Sequence, residues 1–295
     1  CDDMACKYIR ACKGSIGVSE MESSVEVTQR YAQLKDWIAS KGKAALAFSG
    51  GVDSVFLLYA AKEALGEDVL ALTMSLGVVP KKELEEAKAF CREHQIRHQV
   101  EVMDEFSIEG FATNPPNRCY LCKKALFTRM QTIAKEKGFS VLMEGSNIDD
   151  EGDYRPGLLA LRELGIESPL KECGFSKEEI RKMSKELHLP TWEKPSMACI
   201  ASRFVYGEQI TPEKIKMVEE AENYLSELGF VQRRVRLHGE LARIELLLSD
   251  IQRMMQPEIY QKVHKRFSEL GFSYVTIDLG GFQSGSMNKG LKRDG

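Results

Sequence analysis

Between Ser24 and Lys41 apolar residues recur at helical spacing, with Val27, Tyr31, Leu34, Trp37 and Ile38 on one side. That spacing predicts an amphipathic helix. A short apolar run, AALAF (44–48), ends in Ser49-Gly50-Gly51, and the helical period resumes from Asp53 to Leu65 until Gly66 stops it. The alternation continues with strand VLALTM (69–74), helix 81–94, strand HQVEVM (98–103), helix 121–137 and strand SVLMEG (140–145). Strands alternating with helices predict a parallel sheet covered on both faces, an α/β fold of Rossmann-like type.

After the proline-marked connector Pro190 to Arg203 the pattern changes. A helix over 212–228 ends at Gly229, and two strand-like runs, RRVRLH (233–238) and LARIELLL (241–248), flank Gly239-Glu240. A helical stretch at 250–270, with Pro257 as a break, and a strand YVTIDL (274–279) complete a smaller α+β unit. The expected division is a disordered lead over 1–22, a nucleotide domain over 23–205, and a C-terminal substrate and oligomerisation domain over 206–295. Met21 opens the helical pattern and is a candidate natural start, so Cys1, Cys6 and Cys12 are expected to be functionally silent.

Composition narrows the function classes. The chain has 295 residues, 43% hydrophobic and 29% charged, enough for a globular protein with a substantial core. With 44 acidic and 41 basic residues its net charge is −3, so nothing draws nucleic acid or an anionic membrane to it globally. The longest apolar stretch, Val69 to Val79, falls short of the roughly 18 residues of a membrane span. The first twenty residues lack the apolar core of a signal peptide, and a cytoplasmic location is expected. In that reducing compartment the cysteines read as thiols or metal ligands rather than disulfides.

Ser49-Gly50-Gly51-Val52-Asp53-Ser54 lies between a buried strand and a helix, where free N–H groups and the positive end of the helix dipole converge. Two adjacent glycines let the backbone wrap a pyrophosphate, and the serine hydroxyls add donors. Asp53 cannot favour a phosphate directly, so its expected work is to hold a Mg²⁺ that bridges phosphate oxygens. The segment resembles the SGGxDS signature of the PP-loop ATP pyrophosphatases, which implies ATP cleavage between the α and β phosphates and transfer of the adenylyl group to a substrate oxygen.

Cys119-Tyr120-Leu121-Cys122 opens the next helix beside Arg118, Lys123 and Lys124, a placement expected to lower the thiol pKa values. Cys199 is an obvious third ligand. Three thiolates suit a [4Fe–4S] cluster with one iron lacking a protein ligand, whereas zinc would need a fourth ligand.

The resemblance becomes close at Glu144-Gly145-Ser146-Asn147 through Asp153-Tyr154-Arg155-Pro156-Gly157, and at Ala198-Cys199-Ile200-Ala201-Ser202-Arg203-Phe204-Val205-Tyr206-Gly207. With RVRLHGELARIEL (234–246) and YVTIDLGGFQSG (274–285), these segments resemble the LarE family of ATP-dependent sulfur transferases, over about Ser24 to Asn288. The family helps make the nickel-pincer nucleotide cofactor by converting a carboxylate of pyridinium-3,5-biscarboxylic acid mononucleotide to a thiocarboxylate. Sacrificial members surrender the sulfur of the cysteine matching Cys199. Here Cys119 and Cys122 accompany it, which implies instead a cluster-based, multiple-turnover version supplied by sulfide or a persulfide carrier. The resemblance also implies a homo-oligomer, a trimer or hexamer.

ATP is expected on Ser49, Gly50, Gly51, Asp53, Ser54 and Gly145. Arg203, Arg234 and Arg236 are the expected clamp for phosphate and carboxylate, because guanidinium matches both bidentately. Arg155 is a second candidate for phosphates, and Glu151 is preferred over Asp149, Asp150 and Asp153 as a helper to Mg²⁺. Two other functions fit part of the pattern: a tRNA thiolase, and a nucleotide-binding protein with a structural zinc. The first lacks here a basic appendage or an aromatic RNA-binding platform.

Overall fold

A computed structural model describes residues 16–77, 81–150, 156–195, 198–283 and 286–287, with side chains from Glu26 onward except that of Lys81. Helix α1 (Ile16–Ala39) leads into strand β1 (Ala44–Ala47), helix α2 (Val52–Leu65), strand β2 (Val69–Ser75), helix α3 (Lys81–Glu93) and strand β3 (Arg97–Val102). Helix α4 (Arg118–Glu136) then precedes strand β4 (Val141–Met143). The four strands form a parallel sheet in the order β3-β2-β1-β4.

This order positions the site. The chain builds outward from β1 to β3 on one side and then returns to add β4 on the other. The loops after β1 and β4 therefore part at the carboxyl edge of the sheet, where open α/β sheets bind their ligands. α2 is apolar nearly all round and buries Val55, Phe56, Leu57, Leu58, Ala60 and Ala61. A helix with that composition belongs inside a core.

Beyond β4 run helices α5 (Pro156–Glu163), α6 (Pro169–Glu172) and α7 (Lys177–Glu186), which the sequence reading leaves unassigned. The start of α7 has a local cause: Ser176 accepts from the Glu179 amide while the Glu179 carboxylate accepts from the Ser176 amide, a reciprocal capping box. Helix α8 (Pro212–Glu227) opens the C-terminal unit, where β5 (Arg233–His238) pairs antiparallel with β6 (Leu241–Leu246) and β6 parallel with β7 (Tyr274–Ile277). The expected helix at 250–270 is two, α9 (Leu248–Met254) and α10 (Pro257–Leu270). Pro257 starts the second, where its missing N–H costs nothing.

The core of the C-terminal unit gathers Val218, Ala221, Leu225, Phe230, Leu237 and Phe267. It also takes in Ile108, Phe111, Ile200, Ala201 and Phe204, all upstream of the expected boundary at 205. At the other end α1 starts at Ile16, inside the expected lead, while residues 1–15 lie outside the described residues. No helix among the described residues is long and apolar enough to cross a membrane.

Candidate functional site

The glycine loop turns between β1 and α2. Gly50 has φ +73°, a left-handed conformation that a side chain resists, and this bend carries the backbone into the head of α2. Gly51 caps that helix without any side-chain hydrogen bond, and the amides of such a helix start suit an anion. Ser54 Oγ donates to Gly51 O at 3.0 Å and shares a hydrogen bond with Ser49 Oγ at 3.1 Å. The hydroxyls thus stand together at the loop's mouth.

Gly145, just past β4, explains how closely the two strand ends approach. A β-carbon there would lie 3.2 Å from the Ser54 nitrogen and 3.3 Å from Asp53 Cβ. Asp53 is held from the same side: Asn147 Nδ2 donates to Oδ1 at 3.4 Å, and the Lys177 ammonium pairs with Oδ2. Lys194 approaches from across the loop, with Nζ 3.3 Å from Gly50 O and 2.7 Å from Glu86.

Lys177 and Lys194 are absent from the sequence-based expectations, and Asn147 appears there only as a member of the Glu144–Asn147 motif. Lys177 had a local signal as well, since the capping box at Ser176 places it at a helix start.

The glycine loop and the three thiols open on one cleft of about 1330 Å³, lined among others by Ser49, Asp53, Ser54, Gly145, Cys119, Cys122, Cys199 and Arg203. Cys119 lies in the first turn of α4 and Cys122 opens the second, and Cys199 precedes the 3-10 turn Ile200–Arg203. Cys91 is buried in the core around α2, Cys173 packs against that core, and neither lines this cleft.

At Cys122 the fall in thiol pKa expected from the helix start is reversed. Burial pushes the Cys122 thiol up to about 12, with the neighbouring Cys199 and Cys119 adding to it and Arg118 opposing. Cys199 is exposed on the cleft wall yet enclosed at longer range, and that enclosure raises its thiol, again against Arg118. Enclosure in low dielectric outweighs the helix start and the nearby cation. Among the described residues, no three His, Cys, Asp or Glu side chains stand close enough to hold a metal ion as they are.

The three arginines of the expected clamp are engaged within the protein. Arg203, 1% exposed, grips Glu222 with two hydrogen bonds at 2.8 and 3.0 Å, and its third nitrogen donates to Ala198 O at 3.0 Å and Ser202 Oγ at 2.9 Å. Arg236 grips Glu245 at 2.9 and 3.1 Å and reaches Ser202 O at 3.0 Å. Arg234, two residues away on β5, donates to Arg233 O at 2.7 Å and lies over the Phe282 ring. Only Arg203 of the three borders the cleft, and it braces the loop that carries Cys199. Glu151 and Arg155 lie outside the described residues.

Residues 22–154 match the family model described as PP-loop domain. An uncharacterised protein of Synechocystis is 41% identical over 260 residues, which are 88% of this chain and 97% of that protein. The pyridinium-3,5-bisthiocarboxylic acid mononucleotide synthase of Lactiplantibacillus plantarum is 38% identical over 249 residues, 84% of this chain and 90% of the synthase. One subunit of the glutamine-hydrolysing GMP synthase of Thermoplasma volcanium is 30% identical over 205 residues, 63% of this chain and 65% of that subunit. The first two similarities run through the glycine-loop half and the C-terminal unit alike, so the chain belongs to the LarE family of ATP-dependent sulfur transferases.

Proposed function

We propose that this chain adenylates a carboxylate of pyridinium-3,5-biscarboxylic acid mononucleotide and then converts it to a thiocarboxylate. A substrate carboxylate oxygen attacks the α-phosphorus of ATP and pyrophosphate leaves. A sulfur nucleophile then attacks the acyl carbon, and AMP departs with that oxygen. The observation that carries this reading is the shared cleft: the glycine loop and Cys119, Cys122 and Cys199 face one space of about 1330 Å³. A pocket for one small ligand measures about 300 to 1,000 Å³, so two nucleotides have room side by side.

The loop amides at the head of α2 and the Ser49 and Ser54 hydroxyls hold the departing pyrophosphate, where fixed dipoles act on charge as it develops. Asp53 would supply a carboxylate to Mg²⁺, and Lys177, its ion-pair partner, brings a cation to the same side of the loop. Arg203 braces the Cys199 loop through Ala198 and Ser202 while Glu222 balances its charge.

The thiol set suits an iron–sulfur group by the chemistry of its donors: three soft sulfurs line the one cleft. Such a [4Fe–4S] cluster on Cys119, Cys122 and Cys199 would supply sulfide from an iron that carries no protein ligand. We place the reaction in the cytoplasm, with 23–205 as the adenylating domain and 206–295 completing the substrate site in a homo-oligomer.

The test is a multiple-turnover assay of oxygen-free protein with Mg-ATP, the biscarboxylate mononucleotide and sulfide. Pyrophosphate, AMP and thiocarboxylate should form in equal amounts, with more than one product per chain. Pyrophosphate release stimulated by tRNA and not by the mononucleotide would overturn the reading, as would stoichiometric zinc with no ATP turnover.

A further inference from the structure

Arg118 stands where the two thiol-bearing segments meet, one residue before Cys119, and is only 4% exposed. A guanidinium taken out of water is costly unless a negative charge meets it. Among the described residues no carboxylate pairs with Arg118. One nitrogen donates to Asn114 Oδ1 at 2.5 Å and Ala201 O at 2.7 Å, and another lies 3.6 Å from Cys119 Sγ. The positive charge therefore faces sulfur.

Asn114 completes the arrangement. It is wholly buried, sits in the left-handed region at φ +50°, and donates from Nδ2 to Val205 O at 2.6 Å. Its own carbonyl accepts from the Gly207 amide at 2.9 Å. A single Arg–Asn clasp thus ties the start of α4 to residues 201–207 on the far side of the thiol wall.

We propose that Arg118 is a positioning residue that holds Cys199 beside Cys119 and Cys122 and matches the negative charge those three thiols carry when they bind a soft metal ion. This deepens the reading above and rests on it. One guanidinium nitrogen serves both oxygens while a second faces the Cys119 sulfur, a division that a rigid, permanently charged fork can hold and an ammonium holds less well.

The experiment is a titration of oxygen-free, metal-free full-length protein with Co²⁺, in which sulfur-to-cobalt charge-transfer absorption reports thiolate ligation. The unmodified protein should bind one equivalent with three thiolates, and Cys199→Ala should lower that absorption. Arg118→Met should weaken Co²⁺ binding about 10- to 100-fold, the range for loss of a group that orients metal ligands, while ATP binding and circular dichroism stay unchanged. Arg118→Lys should fall between, and it carries the test should Arg118→Met fail to fold. Co²⁺ binding by either folded variant as tight as in the unmodified protein overturns the role of Arg118 alone. Absence of thiolate-ligated cobalt in the unmodified protein overturns the three-thiol reading and this inference together.

Discussion

The two walls of the cleft are built in opposite ways. The glycine-loop wall comes from a single turn, residues 49–54, whose hydroxyls and backbone bond mainly to one another. The thiol wall is assembled from segments far apart in the chain, and two buried arginines, Arg118 and Arg203, hold it together. A site made of one loop inherits its geometry from local backbone rules. An assembled site needs long-range charged bonds, each of which is expensive to break.

This contrast can be broken most directly at Cys199. Replacing it with Ala should abolish thiocarboxylate formation while substrate-dependent pyrophosphate release stays within a few fold of normal, as followed by coupled phosphate detection and product mass. Loss of both activities would mean that the walls are not separable. Next in size, Asp53→Asn should slow pyrophosphate release by about 10² to 10³ fold, the scale for loss of one charge-stabilising group. Co²⁺ binding by the thiols should survive it.

Glu222→Gln probes the cost of assembly. Arg203 would keep its burial and lose its counter-charge, which costs about 3 to 5 kcal/mol of stability, measurable by urea unfolding. No such loss is expected from Ser49→Ala on the local wall. The smallest effect should come from His98, which bonds Thr73 beneath the glycine loop and whose pKa burial lowers, with Lys88 adding to it. The unfolded chain takes up this proton near pH 6.5 while the folded one resists, so the contribution is full above that pH and declines as pH falls below it. Urea midpoints at pH 5.5 and 7.5 should differ less in His98→Gln than in the unmodified protein.

Legibility in the sequence followed the same division. The parallel sheet and the glycine loop could be read because AALAF, Ser49-Gly50-Gly51 and the helix after them signal each other within a few residues. The Cys119, Cys122 and Cys199 set could be named from residue type, yet their shared wall depends on Arg118 and Asn114, whose bonds to 201 and 205 no local pattern announces. The expected clamp of Arg203, Arg234 and Arg236 failed to anticipate Glu222 and Glu245, the carboxylates that engage two of them from α8 and β6. Strand alternation placed Arg234 and Arg236 together but could not show what faced them. Helices α5 to α7 are short, and the capping box at Ser176 was their clearest local mark.

The missing β-carbon at position 145 acts as a spacing gauge. A β-carbon there would stand 3.2 Å from the Ser54 nitrogen, so even alanine would press against the head of α2 and make it yield by a few tenths of an ångström. Efforts to retool this enzyme for bulkier carboxylate substrates should leave that contact untouched and draw their variation from other residues of the cleft lining.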